Sequence, residues 1–171
     1  TYCSQCHGSD ARGAKGFPNL TDGDWLYGGE PEMIKTSIMN GRNGNMPPMG
    51  AAIGGEAAAK DVANYVRSLS GLAHDAAAAA RGKEKFVVCA ACHGPDAKGN
   101  PAIGSPNLTD KVWLYGSSEA TIVETIMKGR QNHMPAHKDF LGEQRVHLLA
   151  AYIYGLSQQS AGGVIQVNET K

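Results

Sequence analysis

Two short runs could do chemistry in this chain: Cys3-Ser-Gln-Cys6-His7 and Cys89-Ala-Ala-Cys92-His93. The spacing i, i+3, i+4 puts two sulfurs and an imidazole on one side of a helical turn. Such a turn can pin a flat macrocycle through two thioethers while the histidine reaches its iron from beneath, and Cys-x-x-Cys-His is the attachment signal for c-type haem. All four cysteines lie in these motifs, so no structural disulfide is expected. A zinc site would set its Cys pairs about 15 to 20 residues apart, and here most of a repeat separates them. A thioredoxin-like redox pair would follow a strand, whereas a helix is expected before Cys89. Two covalent haem c groups are therefore expected, one on Cys3, Cys6 and His7 and one on Cys89, Cys92 and His93.

An iron that only carries electrons needs a sixth ligand that closes it to small molecules, and methionine is the usual partner of histidine in such proteins. The chain has six methionines. Met39 and Met127 fall beside an apolar helical stripe and read as core, and Met33 has no counterpart in the repeat described next. Met46 and Met134 match each other, are expected in loops, and precede prolines, so they are the expected axial ligands. Met49 is the rival in the first half, and His133 or His137 in the second; His74 and His147 read as incidental. Pairing within each half, or exchange with Met134 on the iron of His7 and Met46 on that of His93, both stay open. Each ligating histidine must fix its other ring nitrogen, normally on a backbone carbonyl, and Pro18 and Pro106 are the expected acceptors. Arg42, Arg130, Trp25 and Trp113 could donate to haem propionates, and the tryptophans could equally be plain core.

The chain repeats itself. Beyond the cysteine motifs, Pro18-Asn-Leu-Thr-Asp22 with Trp25-Leu-Tyr-Gly28 returns as Pro106-Asn-Leu-Thr-Asp110 with Trp113-Leu-Tyr-Gly116. Gly41-Arg42 and Met46-Pro47 return as Gly129-Arg130 and Met134-Pro135, and Tyr65, Leu69, Ser70 as Tyr152, Leu156, Ser157. The elements that must position the ligands read as helices. Ile34, Ser37, Ile38 and their counterparts Ile122, Thr125, Ile126 have helical spacing, with Gly41 and Gly129 as stops. Further helices are expected at about 57–69 and 143–156. Asp75 is the expected N-cap of an alanine-rich helix leading to Cys89. No run alternates long enough to argue for a sheet, so the expected class is all-α. The domains are expected at 1–72 and 73–158, with a loosely held tail at 159–171. The first half lacks the helix that precedes Cys89 in the second, which leaves the apolar face of Val62, Tyr65 and Leu69 without an expected partner. A trimmed piece of a longer protein is the expectation.

Lysine plus arginine equals aspartate plus glutamate, 16 against 16, so no basic excess points to nucleic acid. Hydrophobic residues at 42% and charged residues at 19% fit a globular soluble chain. Aromatics reach only 6%, a thin core for two small halves that a buried cofactor would complete. No apolar stretch approaches the roughly 20 residues of a membrane span. No charged-then-apolar leader opens the chain, so any targeting segment is expected to have been removed.

Together these blocks resemble the C-terminal dihaem region of the CcoP (FixP) subunit of cbb3-type cytochrome c oxidases. Trp-Leu-Tyr-Gly is the discriminating block, because generic class I cytochromes share only Cys-x-x-Cys-His and a later methionine. The resemblance implies two tandem class I cytochrome c-like domains, each wrapped around one haem c. It implies a periplasmic portion of a subunit attached to the inner membrane by an upstream anchor. That portion would take electrons from a donor cytochrome c and relay them to the CcoO subunit beside the oxygen-reducing CcoN, without catalysing a reaction itself. A free periplasmic shuttle similar to cytochrome c4 is the alternative, and a dihaem peroxidase the enzymatic rival.

Overall fold

The computed structural model describes residues 2–161, so most of the expected tail lies outside the described residues. In chain order the elements are α1 (Ser4–His7), α2 (Pro31–Asn40), β1 (Arg42–Met46), α3 (Gly50–Ile53), α4 (Glu56–Leu69), α5 (Ala76–Lys85), α6 (Val87–His93), α7 (Glu119–Lys128), β2 (Arg130–Met134), α8 (Lys138–Leu141) and α9 (Glu143–Ala161). The chain is mostly helical, as expected from its periodicity. Packing divides it elsewhere than the repeat does. One unit runs from Arg42 to Met134; the other joins the residues up to Gly41 with those from Pro135 onward. Each unit therefore combines elements from both halves of the repeat.

In the 42–134 unit the core forms around α4. Ala58, Ala59, Val62, Ala63 and Val66 recur at three- and four-residue spacing, and all are buried with Ile53, Phe86, Ala97, Ile122 and Ile126. The face of α4 that the sequence leaves without a partner is covered, which corrects that expectation: α5, from the second half of the repeat, lies along it. The Tyr65 and Phe86 rings meet edge to face at 5.2 Å, and burying a side chain the size of Phe86 is worth about 1.5 to 3 kcal/mol. Asp75 caps α5 by accepting from Ala78 N at 2.8 Å, as expected, and such a cap contributes about 1 kcal/mol. Buried Asn64 leaves no polar atom idle: it donates to Lys60 O and to Glu119 Oε2, each at 3.0 Å, and accepts from Asp75 N at 2.9 Å.

On the same helix pair, Asp61 accepts from Arg81 Nη2 at 2.7 Å and faces Lys85 Nζ at 3.3 Å. The Arg81 hydrogen bond holds the Asp61 carboxyl below its ordinary 3.8, with Lys85 adding to the effect against some desolvation. A carboxyl depressed by folding contributes stability above its unfolded value and loses it as pH falls through the folded one. Asp61→Asn should therefore lower the thermal midpoint at neutral pH, and the gap to the parent protein should close as the pH falls below 3.8 and through the depressed folded-state value. Circular dichroism melts across pH check this; a gap constant with pH would contradict it.

The all-α expectation needs one correction. β1 and β2 form a two-stranded antiparallel ribbon with Arg42 opposite Met134 and Met46 opposite Arg130, so Met46 and Met134 end strands instead of lying in loops. Arg-Asn-Gly-Asn-Met carries neither β-branched nor alternating apolar residues, so its strand state comes from pairing with a distant partner and not from local propensity.

The other unit rests α2 on α9. Ile34, Val146 and Ala150 are buried, Lys35 Nζ pairs with Glu143 Oε1 at 3.0 Å, and His137 N donates to Ile38 O at 3.0 Å. α2 ends as expected at Gly41, with φ 69°, and α7 at Gly129, with φ 72°. Among the described residues no helix is long and apolar enough to cross a membrane.

Candidate haem-attachment sites

α1 and α6 present the cysteine motifs, each as one helical turn that ends on its histidine and exits through a left-handed glycine, Gly8 with φ 81° and Gly94 with φ 80°. None of the four cysteines is joined to another in a disulfide. His7 and His93 are buried. Their Nδ1 atoms lie 2.8 Å from Pro18 O and 3.0 Å from Pro106 O, the acceptors expected from the repeat. Each bond fixes the tautomer with its proton on Nδ1 and leaves Nε2 with a free lone pair. Burial holds the His93 imidazole below its ordinary 6.5, although the Pro106 bond pulls the other way, so Nε2 is unprotonated at neutral pH. Burial, with Cys92 beside it, pushes the Cys89 thiol up from 9.0.

The segment that brings each proline carbonyl under its histidine is built twice in the same way. His7 O accepts from Gly13 N at 2.8 Å and Ala11 O from Leu20 N at 2.8 Å; His93 O accepts from Gly99 N at 2.8 Å and Ala97 O from Leu108 N at 2.8 Å. Ala11 and Ala97 take left-handed φ values of 60° and 59°, a conformation uncommon for a residue with a Cβ. At Gly13 and Gly99 a Cβ would come within 2.8 Å of Pro18 C and Pro106 C respectively, so only glycine lets the backbone return this closely. These four positions escaped attention in the sequence, although Asp10-Ala-Arg-Gly13 and Asp96-Ala-Lys-Gly99 do repeat.

In the 42–134 unit the structure brings several of the candidates together. Met46, Met49, Cys89 and Trp113 all pack against one buried cluster. The α7 end confines the Met46 segment: Met49 N donates to Ile126 O at 2.8 Å, and a Cβ on Gly129 would come within 2.9 Å of Pro47 C. Met127 packs against the same core, as expected. Trp113 Nε1 is buried with no protein acceptor, which fits a donor waiting for a propionate oxygen. Arg130 lies over the Tyr115 ring at 4.4 Å, and Tyr115 OH donates to Asn132 Oδ1. Of the rival histidines, His133 Nδ1 is 2.6 Å from Asn43 Oδ1 and His137 Nδ1 is buried without a partner. His74 Nδ1 lies 2.8 Å from its neighbour Leu72 O. Among the described residues no cluster of His, Cys, Asp and Glu could hold a bare metal ion. The donor set, paired thiols beside an imidazole with Nε2 free, together with the Trp113 orphan, fits haem c.

The profile of the family described as "Cytochrome C oxidase, cbb3-type, subunit III" matches residues 1–66 and 76–153. The chain belongs to that family. It is 56% identical over 158 residues to the "Cbb3-type cytochrome c oxidase subunit CcoP" of Rubrivivax gelatinosus, covering 92% of this chain and 52% of the relative. It is 48% identical over 167 residues to the FixP subunit of Bradyrhizobium sp. (strain ORS 278), covering 90% and 57%. Against the CcoP subunit of Cereibacter sphaeroides the identity is 42% over 167 residues, covering 91% and 58%. This member of the cbb3 subunit III family thus spans a little over half the length of these relatives.

Proposed function

We propose that the chain binds two haem c groups, on Cys3, Cys6 and His7 and on Cys89, Cys92 and His93, and passes electrons one at a time within a cbb3-type oxidase. Each bound haem would supply a one-electron iron couple. The residues would do the rest: the cysteines would anchor the macrocycle, each histidine would offer Nε2 while its proline carbonyl holds the ring, and a methionine would offer its sulfur. The observation that carries the reading is the duplicated cysteine turn with its histidine fixed by a matched proline carbonyl.

Met46 is the proposed ligand on the distal side of His93, because both belong to the 42–134 unit and Met46 packs against the cluster that Cys89 and Trp113 touch. Met134, the counterpart of Met46 in the repeat, is the other proposed axial ligand. The haems are assigned to sequence copies 1–72 and 73–158. Membership of the family supports the wider setting: a periplasmic position at the inner membrane, a donor cytochrome c supplying electrons, and the CcoO and CcoN subunits receiving them. A pyridine haemochrome assay on purified protein should count two haem c per chain, and both irons should stay low-spin and refuse carbon monoxide. A single haem, or an iron that takes up carbon monoxide avidly, would overturn the reading.

A further inference from the structure

The β1–β2 ribbon carries a feature that attachment of the haems does not explain. Its two strands are both five residues long and each ends in a methionine proposed as an axial ligand. Because the pairing is antiparallel, with Arg42 opposite Met134 and Met46 opposite Arg130, the methionines stand at opposite ends of one ladder. Four residue steps separate their rows, roughly 14 Å along the strand direction. Residues 42, 44 and 46 and residues 130, 132 and 134 share the half-buried face, while 43, 45, 131 and 133 share the exposed one.

Both faces are gripped. On the half-buried face Tyr115 OH donates to Asn132, two residues before Met134, and Arg130, opposite Met46, bonds Thr125 Oγ1 through Nε at 3.0 Å and lies over Tyr115. On the exposed face Asn43 and His133 are directly opposite and joined side chain to side chain at 2.6 Å. Neither belongs to a repeated block: the counterpart of Asn43 is Gln131 and that of His133 is Asn45. The pair ties the row beside Met134 to the strand that delivers Met46. A short ribbon rich in asparagine and glycine has little packing of its own to fix register, so a cross-strand pair of this kind bears directly on where both strand ends lie.

We propose that Asn43 and His133 are positioning residues for both axial methionines, so that one ribbon holds or releases the sixth ligands of the two irons together. The proposal rests on the assignment of Met46 and Met134 as ligands. Its test uses the chain loaded with both haems, and imidazole as the probe that competes with each thioether. The readouts are the sulfur-to-ferric-iron charge-transfer band and, in the reduced protein, the ring-current-shifted methyl resonance of each bound methionine.

Asn43→Ala and His133→Ala should each let imidazole bind about 2- to 5-fold tighter at both irons, more at the iron served by Met134. The double variant should loosen the methionines no further than either single one does, because the two side chains act as a pair. Loosening at one iron only, at neither, or additively in the double variant overturns the proposal. A Met46→Ala variant that keeps both methyl resonances overturns the ligand assignment instead, so the two failures are distinguishable.

Discussion

Replacing Met46 with alanine should strip the sulfur from one iron and lower its midpoint potential by on the order of 0.1 V, within the roughly 0.8 V that axial ligation spans. The direction follows from the soft thioether, which favours the reduced iron and raises the potential of a His/Met centre. The location follows from packing. Met46 lies against the cluster that also receives Cys89 and Trp113, in the unit that contains His93, although it belongs to the sequence copy headed by Cys3. A potentiometric titration should show one wave moved down and one unmoved. Repeating it in a Cys3→Ala, Cys6→Ala background, which retains a single attachment motif, assigns the moved wave to the haem of His93. If that remaining haem keeps its sulfur, the pairing is wrong. If Met49→Ala moves the wave and Met46→Ala does not, the neighbouring methionine is the ligand.

The parts of the site that were legible in the sequence are those fixed by local spacing or by repetition. The cysteine turns follow from i, i+3, i+4 geometry, and the proline acceptors from a block that recurs at nearly the same distance from each histidine. The Asp75 cap and the glycine stops after α2 and α7 are local signals too. What stayed hidden depends on which distant element arrives. Periodicity showed that Val62, Tyr65 and Leu69 form an apolar face, but not that α5 covers it, because a helical stripe names no partner. The ribbon was hidden for a related reason: Arg42–Met46 becomes a strand only when Arg130–Met134 lies beside it. Ala11 and Ala97 escaped because alanine gives no sign of a left-handed backbone, whereas the glycines two residues later do.

Gly82→Ala separates two physical effects by sign. If α5 were an ordinary exposed helix, exchanging an interior glycine for alanine would stabilise it by about 1 kcal/mol. In the structure Gly82 is buried at the crossing with α4, and an added Cβ would come within 2.5 Å of Asp61 C and 2.8 Å of Val62 N. Those are backbone atoms of a packed helix, so no side-chain rotation can make room and α5 must move away. Overpacking of this kind costs about 1 to 3 kcal/mol, and the rigid neighbours put Gly82 toward the upper end. The net loss should be ~2 kcal/mol, or a midpoint drop of roughly 4 to 8 °C at this chain length. Moving α5 also draws Phe86 off Tyr65 and shifts the start of α6, so the Trp113 and Cys89 surroundings should loosen along with the fold. Lys83→Ala, one residue further on an exposed position, serves as the control and should change the midpoint little. A stabilised Gly82→Ala protein would show that α4 and α5 do not meet this closely, and the pairing of the first copy's helix with the second copy's attachment helix would fall with it.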